Sequence, residues 1–289
     1  MIELAHGGVS LGLVPELGGS IAFFRIEGRD AMRPLSAEDA AAGNVLGVAS
    51  FPMIPYANRI DGNAFTFEGR TYRVAPNNGA EPFNVHGSGW KSAWTIEEAT
   101  ATSVVLVLDH DGGTEDPYTY RAVQRFALAD GALSLTTSIE NRGAARMPFG
   151  FGHHPWFPRD ADVTLRFRAR DFWLEGPFGV VSDRISVAPE LDFSEHRPLP
   201  EGWRNNDYGR WDGRAELRFP ARGVGLAIEA GPLYENLMFY ADPKRDVFCL
   251  EPQTNASCAL NRTEPDLGVI VLGPGESMQE RVAFRPFLI

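Results

Sequence analysis

Along most of this chain apolar side chains return at every second position, and glycine or proline breaks the run about every ten residues. A period of two marks extended strands, whose successive side chains point to opposite faces. In "NAFTFEGRTYRV", Phe65 and Phe67 and then Tyr72 and Val74 alternate around Glu68-Gly69, which predicts a hairpin. "FALADGALSLTTSI" repeats the pattern, with Leu133, Leu135, Thr137 and Ile139 following an Asp130-Gly131 turn. Further extended runs are "SVVLVLD", "DVTLRFRA", "AELRFPARGVGLAIEA", "DVFCLEPQ" and "LGVIVLGPGESMQERVAF". With 30 Gly and 21 Pro supplying the breaks, the pattern calls for an antiparallel sandwich or barrel.

Helical signals are thin. The best is "PLSAEDAAAGN", with Ser36 as N-cap, Asp39 three residues on and Gly43 as the stop. No linker, composition shift or fixed-period repeat divides the chain, so residues 1–289 read as one large all-β domain with minimal helix. The net charge of −11 argues against nucleic acid and against an anionic membrane surface. No window approaches 18 consecutive apolar residues, and "MIELAHGGVS" lacks a basic and an apolar signal region. A cytoplasmic protein acting on a small molecule, as a monomer or weak homodimer, is the expectation.

Chemistry concentrates in a few short stretches. "GFGHHPWF" sets His153 and His154 side by side. Neighbours on a strand face opposite ways, so the two cannot ligate one ion from a regular strand, and no H-x-H or Cys/His cluster supplies other ligands. No metal is expected. Phe149, Phe151 and His153 share one face; Gly150, Gly152 and His154 share the other. Two glycines beside His154 leave room for a ligand ring to approach the backbone, and Pro155 restricts the direction of His154. The alternative is a bulge with a packed core histidine.

"DVFCLEPQTN" reads as a strand apolar on both faces, in which Glu251 continues the face of Val247 and Cys249 just before Pro252 ends the ladder. A carboxylate there is partly desolvated, which raises its pKa toward the range of a general base. The plainer alternative is a glutamate emerging into solvent. "FPMIPYANRIDG" cannot be helical, because Pro52 and Pro55 interrupt it, and it presents Asn58 and Arg59. "EPFNVHGSGW" presents His86 before a Gly-Ser-Gly break.

In order along the chain, Asn58-Arg59-Ile60, Val85-His86-Gly87, His154-Pro155-Trp156-Phe157 and Leu250-Glu251-Pro252-Gln253 resemble the motifs of the aldose 1-epimerase (galactose mutarotase-like) family. The resemblance spans essentially the whole chain. It implies an antiparallel β-supersandwich binding a free monosaccharide, without a cofactor. It further implies Glu251 as general base, His154 as general acid, and Arg59, His86 and Asn58 as groups that orient the sugar. His153 falls where relatives carry an apolar side chain. Two departures stand out. Where the family has an aspartate for sugar hydroxyls, "RNNDYGRWDG" places Asn205, and Asp207 would serve only if that loop shifts register. A glutamine expected before the base falls near Met238.

Interconverting the anomers of an aldose opens the ring, so one group must take the C1 hydroxyl proton while another protonates the ring oxygen. Glutamate and histidine suit this near neutral pH, each supplying about 10²–10⁴ in rate. A nearby carboxylate should raise the pKa of His154. Arg59 stays protonated and can only donate hydrogen bonds. Trp156, Trp90 or Tyr56 could stack on the sugar, with core packing as the alternative for each. The competing functions are a hexose-6-phosphate 1-epimerase, a non-catalytic sugar-binding protein and a glycoside hydrolase or lyase.

Overall fold

Each predicted turn joins two paired strands in the computed structural model, which describes residues 1–79 and 81–289. Ala64–Phe67 pairs with Arg70–Arg73, placing Phe65 opposite Tyr72. The turn residues Glu68 and Gly69 have φ of 48° and 77°, the positive pair that a tight hairpin twist requires. Tyr120–Ala129 pairs with Ala132–Asn141 across Asp130-Gly131 in the same way. Ala37–Ala42 is the only α-helix among the described residues. Its N-cap Ser36 hydroxyl accepts the Asp39 N–H at 3.0 Å, and Gly43 closes it in the left-handed region at φ 63°, as the capping pattern predicts.

The strands gather mainly into two large sheets. The first has eleven strands. Across its middle run Ser20–Ile26, Ser50–Met53, Gly152–Pro158, Val247–Gln253, Asn236–Ala241 and Arg204–Gly209, each antiparallel to the next. The second has nine, with Tyr120–Ala129, Ala132–Asn141, Ser277–Leu288 and Val224–Ala230 at its centre. One apolar cluster draws on both sheets, including Phe24, Phe157 and Leu250 from the first and Phe126, Leu226 and Phe284 from the second. The Phe24 and Phe284 rings meet at 6.4 Å. Burying each such side chain contributes about 1.5–3 kcal/mol, which ties one face of the first sheet to the second and frees its other face for a site. This is the all-β sandwich that the alternation predicts.

Two local expectations need correction. Pro252 does not end its strand: it pairs with Leu237, and Gln253 continues to Asn236 and Gly152. In an antiparallel strand successive residues bond to alternate neighbours, so one missing N–H removes one bond and leaves the flanking ones. Arg204–Gly209 is a strand, not a loop, in unbroken register with Asn236–Ala241.

Candidate active site

A cavity of about 510 Å³ opens on the face of the first sheet turned away from the shared core, lined among others by His154, Glu251, His86, Arg59, Asn58 and Asn205. The register of the central strands builds its floor. Gly152 pairs with Gln253 and Trp156 with Cys249, so His154 stands opposite Glu251 in the row between them. Directly opposite residues on adjacent antiparallel strands point to the same face. His154 Nε2 lies 3.2 Å from Glu251 Oε1. Two residues almost a hundred positions apart thus meet through pairing alone.

The two faces of Gly152–Pro158 separate as the alternation predicts. His153 is buried and its Nε2 lies 3.2 Å from the Thr137 hydroxyl and 3.0 Å from the Tyr234 hydroxyl. His154 stacks on Phe51 at 4.5 Å between ring centres and packs against Trp156 at 4.9 Å and edge-on to His86 at 5.4 Å. The glycines serve another purpose than the one expected of them. A Cβ on Gly150 would lie 2.1 Å from Asn255 Oδ1, and one on Gly152 would lie 2.5 Å from Met53 Cε and 2.9 Å from Pro252 O. The space beside His154 that they vacate is filled by the protein's own side chains and backbone, not left for a ring.

Burial dominates the electrostatics of the floor. It pushes the Glu251 carboxyl well above its usual range, helped by the nearby Asp207 carboxylate and opposed by Arg59. It pushes the His154 imidazole down to about 3, with Arg33 and Arg59 adding to the effect. The expectation that the neighbouring carboxylate raises His154 is therefore not met. Loss of water costs the charged imidazole more than the carboxylate returns, because Glu251 is itself neutralised by the same burial. Burial thus favours the neutral form of both groups. Among the described residues, His154 Nδ1, Glu251 Oε2 and Trp156 Nε1 have no hydrogen-bond partner.

Asn58, Arg59 and His86 form one interlocked wall. Asn58 and His86 both adopt left-handed backbone, at φ 64° and 61°, a conformation that non-glycine residues hold only when the surroundings enforce it. The Asn58 N–H donates to His86 Nδ1 at 3.0 Å, and the His86 N–H donates to the Asn58 carbonyl at 2.8 Å. Because its Nδ1 accepts and burial lowers its pKa, His86 is neutral with its proton on Nε2. The Asn58 Oδ1 accepts from Arg59 Nη1 at 3.1 Å. Glu81 grips the rest of that guanidinium, accepting from Nε at 2.6 Å and Nη2 at 2.5 Å.

Asn205 lines the cavity and donates to Glu175 Oε1 at 2.5 Å. Asp207, two residues along the same strand, is fully buried, accepting from Gln253 Nε2 and from the Ser257 N–H, and does not line the cavity. Its carboxyl is raised to about 6 by burial. Met238 lies beside Glu251 in register and lines the cavity, as do Trp156 and Trp90. Tyr56 does not; its hydroxyl donates to Asn84 Oδ1 in the core at 2.6 Å. The sequence reading missed Glu81, Glu175, Tyr240, Arg245, Phe178 and Trp203 on the walls. Glu81 opens the stretch that presents His86 but lies outside its Val85-His86-Gly87 motif, and the others lie in no motif. A single acidic, basic or aromatic residue among many of its kind carries no local signal. It also missed that Cys249 comes within metal-ligand range of His154 and Glu251, with ligand atoms of all three within 4.8 Å of one another.

No helix among the described residues is long and apolar enough to cross a membrane. The family model for aldose 1-epimerase matches residues 1–285. YphB of Escherichia coli K12, itself uncharacterised, is 34% identical over 292 residues, covering 98% of this chain and 97% of its own. Bovine galactose mutarotase is 24% identical over 266 residues, covering 79% and 76%. A crystal structure from Escherichia coli K12, provisionally described as an aldose 1-epimerase, superposes with a TM-score of 0.92 at 32% identity over 99% of this chain and 98% of that one. A GalM/aldose epimerase homologue from Caenorhabditis elegans superposes with a TM-score of 0.85 at 19% identity, covering 100% and 98%. The motifs in order, the sandwich and the full-length match lead to one conclusion: this chain belongs to the aldose 1-epimerase family.

Proposed function

We propose that the protein is an aldose 1-epimerase that interconverts the α and β anomers of a free aldose by acid–base ring opening and reclosure. The observation that carries this reading is the 3.2 Å separation of His154 Nε2 and Glu251 Oε1 on the floor of the cavity. The hydroxyl and ring oxygens of a hemiacetal share one carbon. A base and an acid side by side match that spacing, where groups on opposite edges of the ring would not.

The neutral pair and its ionic tautomer, glutamate with imidazolium, differ only by one proton moved between Oε1 and Nε2. In the ionic form Glu251 takes the C1 hydroxyl proton while His154 protonates O5, and the C1–O5 bond breaks. The aldehyde turns about C1–C2, O5 adds to its other face, and both protons return. Net proton uptake is zero. The His86 Nε2–H and the Arg59 N–H groups that Glu81 and Asn58 leave free donate to sugar oxygens. Asn58 and Asn205 supply amides to hydroxyls, and Trp156 offers an apolar ring to the sugar's C–H face. Because its residues come from Asn58 through Glu251, this reading treats 1–289 as one domain.

A hexose 6-phosphate is the second-ranked substrate. Against it, both arginines on the cavity wall have acidic neighbours: Arg59 is gripped by Glu81, and Arg245 Nε lies 3.9 Å from Asp242. Polarimetry on freshly dissolved α-glucose, α-galactose, xylose, arabinose and glucose 6-phosphate tests activity and substrate together. Acceleration of at least one free aldose is expected. Unchanged spontaneous rates for all five, with sugar binding intact, would instead mark a sugar-binding protein.

A further inference from the structure

We infer that the cavity floor is also a binding site for a thiophilic divalent cation such as Zn²⁺, held by His154, Cys249 and Glu251. Cys249 and Glu251 are two residues apart on one strand and so share a face; His154 faces Glu251 from the adjoining strand. Ligand atoms of the three lie within 4.8 Å of one another, and the His154–Glu251 contact is 3.2 Å. Zinc bonds of about 2.0–2.3 Å in a tetrahedral shell need ligand atoms roughly 3.3–3.8 Å apart. The widest of these separations therefore has to close by about 1 Å.

A second observation points to a ligand here. Glu251 is 2% exposed, yet its Oε2 has no hydrogen-bond partner among the described residues. A buried polar atom left unpaired is costly, and a bound cation would relieve that cost at the carboxylate. Charge also balances. Binding displaces the Cys249 thiol proton and the Glu251 carboxyl proton to solvent. The resulting thiolate and carboxylate together offset a divalent ion, so the loaded cluster is neutral in surroundings where an uncompensated charge is expensive. The sulfur selects zinc or cadmium over magnesium or calcium. Three protein ligands leave a fourth position facing the cavity, open to water or a sugar hydroxyl. Bound there, the ion engages the two groups that exchange protons with the sugar and stops turnover; that consequence rests on the epimerase reading above, while the binding does not.

The test is titration of the purified full-length protein with Cd²⁺, following the thiolate-to-metal absorbance in the ultraviolet, alongside Zn²⁺ inhibition of mutarotation. Expected are a band saturating at one ion per chain, its loss in C249A, its retention in C258A, and inhibition that a chelator reverses. C249A should keep its metal-free rate and tolerate more than ~10-fold higher Zn²⁺, since even outer-shell changes cost 10–100-fold in affinity. C249S serves if C249A does not fold. The absence of a band in the native protein, or equal Zn²⁺ sensitivity in the cysteine variants, overturns the site. A native protein that binds Cd²⁺ but never accelerates mutarotation overturns the function and leaves the site standing.

Discussion

His153 and His154 are the same residue type on the same strand, and burial lowers both imidazoles to about 3. What separates them is what each one touches. His153 turns toward the second sheet and finds two hydroxyls, Thr137 and Tyr234. His154 turns toward the cavity, where among the described residues its Nδ1 has no partner and its Nε2 stands beside a carboxylate that is itself half unpaired. Depth of burial does not tell a structural histidine from a functional one. The state of its hydrogen bonds does: a satisfied polar group holds the fold, and an unsatisfied one at a cavity awaits a ligand.

The sharpest attack on this contrast is to remove the carboxylate from the cavity side. E251Q should lower kcat by about 10²–10⁴ while the melting curve and most of the sugar affinity persist. Near-normal polarimetric rates would take Glu251 out of the mechanism. Next comes the pair of asparagine exchanges on the strand itself. H154N should lose about 10²–10⁴ in kcat with little loss of stability, whereas H153N should lose about 1–3 kcal/mol in urea unfolding by stranding two buried hydroxyls, with nearly normal turnover per folded molecule. The opposite ranking would reverse the assignment of the two faces.

A smaller effect sharpens the cavity side further. Glu81→Gln should loosen the hold on Arg59 and raise KM about three- to tenfold, equivalent to roughly 0.7–1.4 kcal/mol, with kcat little changed. An unchanged KM would mean that Arg59 is placed by its backbone and Asn58 alone. The smallest effect belongs to the structural side, where Arg222 from the second sheet's turn binds Asp160 from the loop after the histidine strand, donating from Nη2 at 2.8 Å. Arg222 holds the Asp160 carboxyl below its usual range. Its folded pKa is thus lower than its unfolded one, so the stabilisation is present above the unfolded pKa and lost as pH falls through the folded pKa. D160N should cost only a few tenths of a kcal/mol at neutral pH, because the pair is partly exposed. Native and variant unfolding curves should converge in acid.

Local sequence carried the strands because alternation, turn residues and capping act over a few positions. The Asp130-Gly131 hairpin, the Ser36–Gly43 helix and the opposite faces of His153 and His154 all follow from that. Motif order pointed to the family and to His154 and Glu251. It could not say what fills the space beside Gly152, that Asp207 is buried behind Gln253 while Asn205 reaches the cavity, or that Glu81 grips Arg59. Those depend on residues brought together from distant parts of the chain.

The sequence by itself determined the all-β class and which side chains share a face, since backbone geometry makes those properties local. Only the tertiary structure decided that His154, Glu251 and Cys249 crowd together, and that shared burial rather than mutual charge sets their protonation. Register between strands nearly a hundred residues apart, and the exclusion of water by everything around them, are properties of the packed whole.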